Sequence, residues 1–119
     1  EGLQAAVERA AKYVDAGADM VFAEALSSLD EYREFTAAVR VPVLANITEF
    51  GRTPLFTVDE LGQAGVRLAL YPLTAFRAMN AAASRVFQTL RARGTQGELL
   101  GDMQTREELY EVLDYYAKE

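Results

Sequence analysis

Leu3, Val7, Ala10, Ala11 and Val14 recur at the three- and four-residue spacing that gathers apolar side chains on one face of a helix. Gly17 stands where a left-handed residue would close that helix. The pattern then changes: Met20 to Glu24 (MVFAE) is a short apolar run of the kind found in buried parallel strands. Ser28 followed by Glu31 has the spacing of a capping box and predicts a second helix to about Val39. Val41 to Thr48 (VPVLANIT) reads as another buried strand, with Pro42 at its beginning, where a missing ladder hydrogen bond costs least. After the loop EFGRTPLF, Thr57 and Glu60 repeat the capping-box spacing ahead of a short helix that Gly65 ends. Val66 to Tyr71 is a third strand, stopped by Pro72. From Thr74, the residues Phe76, Met79, Ala83, Val86, Phe87 and Leu90 share one face of a long helix ending near Gly94. Thr105 and Glu108 cap a last helix with the apolar stripe Leu109, Val112, Leu113 and Tyr116.

The predicted order is therefore α-β-α-β-α-β-α-α, and strands alternating with helices imply a parallel sheet in an α/β fold. Strand centres near residues 22, 44 and 69 repeat at about two dozen residues, and eight such units closed into a barrel need roughly 250 residues. A chain of 119 residues carrying three strands corresponds to about half of a (β/α)8 barrel. Open parallel edges would remain on both sides, a state that natural domains avoid by closure or cover. Glu1-Gly2-Leu3 leads at once into a helical pattern without an initiator methionine, so the chain is expected to be cut from something longer. A two-layer domain complete in itself is the alternative.

Composition narrows the chemistry. The chain is 50% hydrophobic and 25% charged, a globular balance. Eighteen acidic against twelve basic residues give a net charge of -6, which disfavours a nucleic-acid partner. Apolar runs such as Met20 to Ala23 fall far short of the ~20 residues that span a bilayer, so no membrane partner is expected and a cytoplasmic location is. Cysteine and histidine are both absent, which removes disulfides, thiol nucleophiles, Ser-His-Asp triads and Cys/His zinc patterns from these residues.

In parallel α/β barrels the reactive residues project from the C-terminal ends of the strands. That rule selects Glu24 after the first strand, Asn46 and Thr48 at the end of the second, Tyr71 at the end of the third and Arg77 in the helical turn beyond it. Glu24 is either a carboxylate meeting a cation or ligand, or an ordinary solvated strand end. Asn46, Thr48 and the Gly51-Arg52-Thr53-Pro54 loop offer amide, hydroxyl and backbone groups suited to holding carboxylates, or merely cap a turn. Arg77 has the fork that grips a carboxylate bidentately, and its alternative is a surface arginine. Tyr110, Tyr115 and Tyr116 read as packing.

The segments LANITEFGRTPLF, ALYPLTAFRAMNAAA and GTQGELLGDMQTREELYE resemble the methylisocitrate lyase branch of the isocitrate lyase and phosphoenolpyruvate mutase superfamily, and the similarity runs through nearly the whole chain. The resemblance implies the C-terminal half of a Mg2+-dependent (β/α)8 barrel, with barrel units over 1–94 and a helical extension over 95–119. It implies cleavage of the tricarboxylate 2-methylisocitrate to pyruvate and succinate, in propionate breakdown by the methylcitrate cycle, and a homo-oligomer, a tetramer in the family. Carried over residue by residue, the family's substrate contacts fall on Glu24, Asn46, Ile47, Thr48, Arg77 and Arg106; Arg106 comes from the resemblance alone. The family's Asp-x-Asp metal pair and its catalytic cysteine in a Lys-Lys-Cys-Gly-His loop have no counterpart in these residues. Both are expected in the preceding half of the parent enzyme, so no catalytic or metal-ligating residue is assigned here and the segment alone is expected to be inactive. Ala23 departs from the family, which often has proline before the equivalent glutamate.

Rival readings are an oxaloacetate decarboxylase or phosphonopyruvate hydrolase of the same superfamily, against which the TEFG and TPLF elements argue, and a non-catalytic assembly fragment. A receiver-like signalling module is set aside, because it needs a lysine at a late strand end and the lysines here, Lys12 and Lys118, lie in predicted helices.

Overall fold

The computed structural model describes residues 2–118. Helix α1 spans Leu3–Asp15, strand β1 Val21–Ala23, α2 Leu29–Ala38, β2 Val43–Asn46, α3 Val58–Gln63, β3 Leu68–Leu70, α4 Thr74–Arg93 and α5 Arg106–Val112. Two 3-10 helices, Gly97–Asp102 and Tyr115–Lys118, were not legible in the apolar spacing. The expected order of strands and helices is otherwise the observed one. The chain packs as two compact units, one reaching to Arg77 and a second beginning at Ala78, within the span of α4.

Local chemistry sets the helix ends. Helix α1 closes in a Schellman motif: Ala18 N–H donates to Tyr13 O at 2.9 Å and Gly17 N–H to Val14 O at 2.9 Å, with Gly17 at φ +105°. Thr57 and Thr105 each form a reciprocal capping box with Glu60 and Glu108. At α2 the box is only half built. Ser28 Oγ accepts from Glu31 N–H at 3.1 Å, but the Glu31 carboxylate reaches past the cap to Ser27, accepting from its N–H at 2.6 Å and its hydroxyl at 2.9 Å.

The three strands lie in the order β1-β2-β3, all parallel. Val21, Phe22 and Ala23 pair with Val43, Leu44 and Ala45, and Leu44, Ala45 and Asn46 pair with Leu68, Ala69 and Leu70. The strands are shorter than the apolar runs that predicted them, because only three or four residues of each run enter the ladder. Pro42 contributes only its carbonyl, which accepts from Val21 N–H at 3.0 Å. Beyond Asn46 one more bond, Ile47 N–H to Leu70 O at 2.8 Å, precedes a turn at Glu49 and Phe50.

Side chains alternate across the sheet, and its two faces differ sharply. On the helix-covered face Val43 and Ala45 are 1% and 0% exposed and pack with Tyr32, Phe35, Leu61 and Val66. Burying side chains of this size contributes about 1.5–3 kcal/mol each for the larger ones. On the other face Phe22 and Leu68 are 48% and 45% exposed. An apolar run was the right signal for strands with two apolar faces, but only one face is covered among the described residues.

In the second unit the tyrosines pack on one another, as expected: the Tyr110 and Tyr115 rings stack at 4.5 Å, and Tyr116 meets both edge-on. Arg85 pairs with Asp102 at 2.9 Å. No residue of α4 is buried, so its predicted apolar stripe is present with Phe76, Met79 and Phe87 exposed. Amphipathic spacing specifies a helix and a face; it does not supply the layer that covers it.

Candidate active site

Because the strands are parallel, their C-terminal ends share one edge of the sheet. Glu24 follows β1 directly, exposed, in a turn where Ala25 takes the left-handed φ of +59°. Asn46 ends β2 and Thr48 stands two residues on, both half-buried and in the same pleat phase as Phe22 and Leu44. Ile47 lies between them in the opposite phase, and its side chain is 3% exposed within the core. Any contact Ile47 makes at this edge is therefore through its backbone.

Arg77 lies in the first turn of α4. Its Nη1 donates to the Glu49 carbonyl oxygen at 2.8 Å and stands 3.5 Å from Glu49 Oε2, while its Cζ lies 5.1 Å from the centroid of the Phe50 ring. Thr74 Oγ1 donates to Glu49 Oε1. That hydrogen bond above all, and then one from its own backbone N–H, hold the Glu49 carboxyl below its ordinary pKa against desolvation, with the charge of Arg77 the least of the lowering effects. Phe50 takes φ +63°. Two of the three non-glycine residues with left-handed φ among those described, Ala25 and Phe50, thus sit in the loops that follow β1 and β2. Strain of this kind gathers where the surroundings hold a chain in a required shape.

Beside Glu24 a cleft of about 440 Å³ is lined by Arg9, Glu24, Leu26, Glu31 and Arg52. Beneath this edge lies Tyr32, fully buried, whose hydroxyl has no hydrogen-bond partner. Burial raises the pKa of the phenol and the charge of Glu24 raises it further; the Thr53 hydroxyl is close enough to oppose that shift but does not complete a hydrogen bond. Asn46 Oδ1 is likewise buried and unpartnered. A buried polar atom left unpaired costs about 1–3 kcal/mol, so both groups retain bonding capacity that the described residues do not meet. A larger cleft of about 590 Å³, lined by Arg33, Arg40, Pro42, Gly65 and Arg67, lies at the opposite end of the strands and touches none of the expected site residues.

The structure thus gathers Glu24, Asn46, Thr48 and Arg77 at one edge. Arg106 is exposed and opens α5 in the second unit, immediately after its Thr105 cap. Glu49, Phe50, Thr74 and Tyr32 were missed by sequence reasoning. Glu49 and Arg77 are 28 positions apart, a separation that no periodicity encodes; the one available signal was Glu49's place beside Thr48 in the LANITEFG segment.

Residues 1–91 match the phosphoenolpyruvate phosphomutase family. All 119 residues align at 61% identity with the 2-methylisocitrate lyase of Escherichia coli strain K12, covering 40% of that protein. A crystal structure of 2,3-dimethylmalate lyase, a PEP mutase/isocitrate lyase superfamily member, superposes with a TM-score of 0.82 at 30% identity, over 99% of this chain and 42% of its own. An oxaloacetate acetylhydrolase bound to 3,3-difluorooxalacetate superposes with a TM-score of 0.80 at 29% identity, over 94% of this chain and 37% of its own. The chain spans about two-fifths of the length of the curated relatives it matches. With three parallel strands alternating with helices and a polar rim at their C-terminal ends, this chain belongs to the phosphoenolpyruvate phosphomutase family and is homologous along its whole length to 2-methylisocitrate lyase.

Proposed function

We infer that this chain is the C-terminal half of a (β/α)8-barrel lyase that cleaves 2-methylisocitrate to pyruvate and succinate, and that its share of the work is to hold the substrate's carboxylates. The observation that carries this reading is the common edge of Glu24, Asn46, Thr48 and Arg77, chosen by the strand-end rule and by the family resemblance alike. The identity of 61% with a 2-methylisocitrate lyase favours that substrate over oxaloacetate or dimethylmalate, the substrates named for structural neighbours at 29% and 30%. Residues 1–94 would supply barrel units and 95–119 a helical extension, in a cytoplasmic homo-oligomer.

In retro-aldol cleavage a base takes the substrate's hydroxyl proton, the carbon-carbon bond breaks to give pyruvate, and an acid protonates the carbanion that becomes succinate. Arg77 is suited to pair with a carboxylate, and Asn46 and Thr48 to hydrogen-bond one without titrating near neutral pH. Ile47, whose N–H already donates to Leu70 O, has only its carbonyl to offer, suited to accept from the substrate hydroxyl, and Arg106 is assigned a carboxylate contact on the resemblance alone. Mg2+ would supply positive charge beside the reacting carboxylate. No three Asp or Glu side chains among the described residues converge on one point, so these residues do not themselves fit the ion. The test is to assay the full-length protein containing this segment with 2-methylisocitrate and Mg2+, following pyruvate. Turnover of oxaloacetate or 2,3-dimethylmalate in preference to 2-methylisocitrate would overturn the substrate assignment.

A further inference from the structure

We propose that Glu49 is a positioning residue that decides which edge of the Arg77 guanidinium is presented to substrate; this rests on the reading of Arg77 as a carboxylate contact. A guanidinium has five N–H donors and can grip a carboxylate end-on, through Nη1 and Nη2, or side-on, through Nε and Nη2. Here Nη1 is committed, donating to the Glu49 carbonyl oxygen at 2.8 Å and lying 3.5 Å from Glu49 Oε2. The Phe50 ring, 5.1 Å from Cζ, covers one flat face. Glu49 is itself anchored through Oε1 by the hydroxyl of Thr74, three residues before Arg77 on the same helix. The Nε and Nη2 edge has no partner among the described residues, and the Arg77 side chain is 38% exposed. The loop after β2 therefore leaves both donors of the side-on fork free, whereas the end-on fork shares Nη1 with the Glu49 carbonyl.

Glu49 also carries a negative charge, which opposes an anionic substrate. At a partly exposed pair the opposing energy is modest, whereas loss of a fixed bidentate geometry costs binding directly. Charge and geometry make different predictions for two variants. Glu49→Gln keeps one oxygen and one amide to bridge Arg77 and Thr74, the hydroxyl turning to accept; Glu49→Ala keeps neither, so Nη1 is left with the backbone carbonyl alone and the guanidinium can swing about that single bond.

Steady-state kinetics of the full-length protein with 2-methylisocitrate and Mg2+ tests the proposal. Glu49→Ala is expected to raise KM about tenfold with a smaller loss in kcat, and Glu49→Gln to stay within about threefold of wild type. In an Arg77→Ala background, adding Glu49→Ala should change kcat/KM less than about twofold, because its effect acts through the arginine. Unchanged KM in Glu49→Ala, or an equal loss with and without Arg77, overturns the proposal. If Arg77→Ala alone leaves KM unchanged, the reading of Arg77 fails, and that single variant identifies the failure. Should Glu49→Ala not fold, Thr74→Val serves instead: it frees the Glu49 carboxylate, and a KM rise absent from the Arg77→Ala background is expected, whereas no rise overturns the proposal.

Discussion

At the scale of single residues, the site depends on positions whose neighbours leave them little choice. Arg77 is the clearest, tied by Nη1 to Glu49 and facing Phe50. In the full-length protein Arg77→Ala is expected to lower kcat/KM for 2-methylisocitrate by about ten- to a hundredfold, the equivalent of losing a charge-assisted hydrogen bond worth about 1.5–3 kcal/mol. Arg77→Lys should recover only part of it, since an ammonium lacks the flat two-donor edge; full recovery would mean that charge alone matters. Gly65 is constrained for a structural reason. It has φ +85°, and a Cβ there would stand 2.6 Å from Thr36 Oγ1, which donates to Ala64 O at 2.7 Å. Gly65→Ala therefore combines left-handed strain with a steric clash and should destabilise by about 1–3 kcal/mol, read as a shift in the urea midpoint. An unchanged midpoint would show that the α2–α3 contact relaxes freely.

At the scale of elements, three helix starts carry carboxylates whose pKa values are lowered. Glu60 is held down by the Thr57 backbone N–H and then its hydroxyl, Glu108 by the same groups of Thr105, and Glu31 by the Ser27 N–H and then its hydroxyl. A carboxyl lowered on folding contributes stability that is present above its unfolded pKa and is lost as pH falls through the folded one. The sign is testable with a triple Glu→Gln variant at positions 31, 60 and 108. Wild type should be the more stable at pH ~7, and its advantage should shrink as pH falls below the ordinary carboxylate range and vanish once the folded carboxyls are themselves protonated. An advantage that persists at low pH would assign the effect to shape and not to charge. Thr57→Ala, which removes one cap hydroxyl, should cost about 1 kcal/mol at pH ~7 and less in acid, because that hydroxyl also donates to the Glu60 carboxylate.

At the scale of the whole molecule, the sheet has one covered and one open apolar face, with Phe22, Leu68 and Leu70 on the open side. If the remaining strands of a barrel cover that face in the full-length protein, Phe22→Asp buries an unpaired carboxylate and should abolish soluble folded enzyme. Wild-type stability for that variant would remove the half-barrel proposal. The 119 residues expressed alone are expected to form no pyruvate from 2-methylisocitrate above a protein-free control, because the proposed metal and acid both lie outside them.

Periodicity and capping residues were enough to find each strand and α-helix, because those signals are local: Ser28, Thr57 and Thr105 act within one turn, and apolar runs mark strands wherever they pair. The rim was legible for a related reason. Once strands are parallel, every strand end lies at one edge, so Glu24, Asn46 and Thr48 could be chosen before any contact was known. Tertiary structure alone decided the rest. The covering helices made the phase of Ile47 the buried one, the fold brought Glu49 to Thr74 and Arg77, and the same helices distinguished Val43 from Phe22, which look alike as apolar letters. These are long-range contacts, set by which surfaces meet when the chain closes, and spacing along the chain holds no record of them.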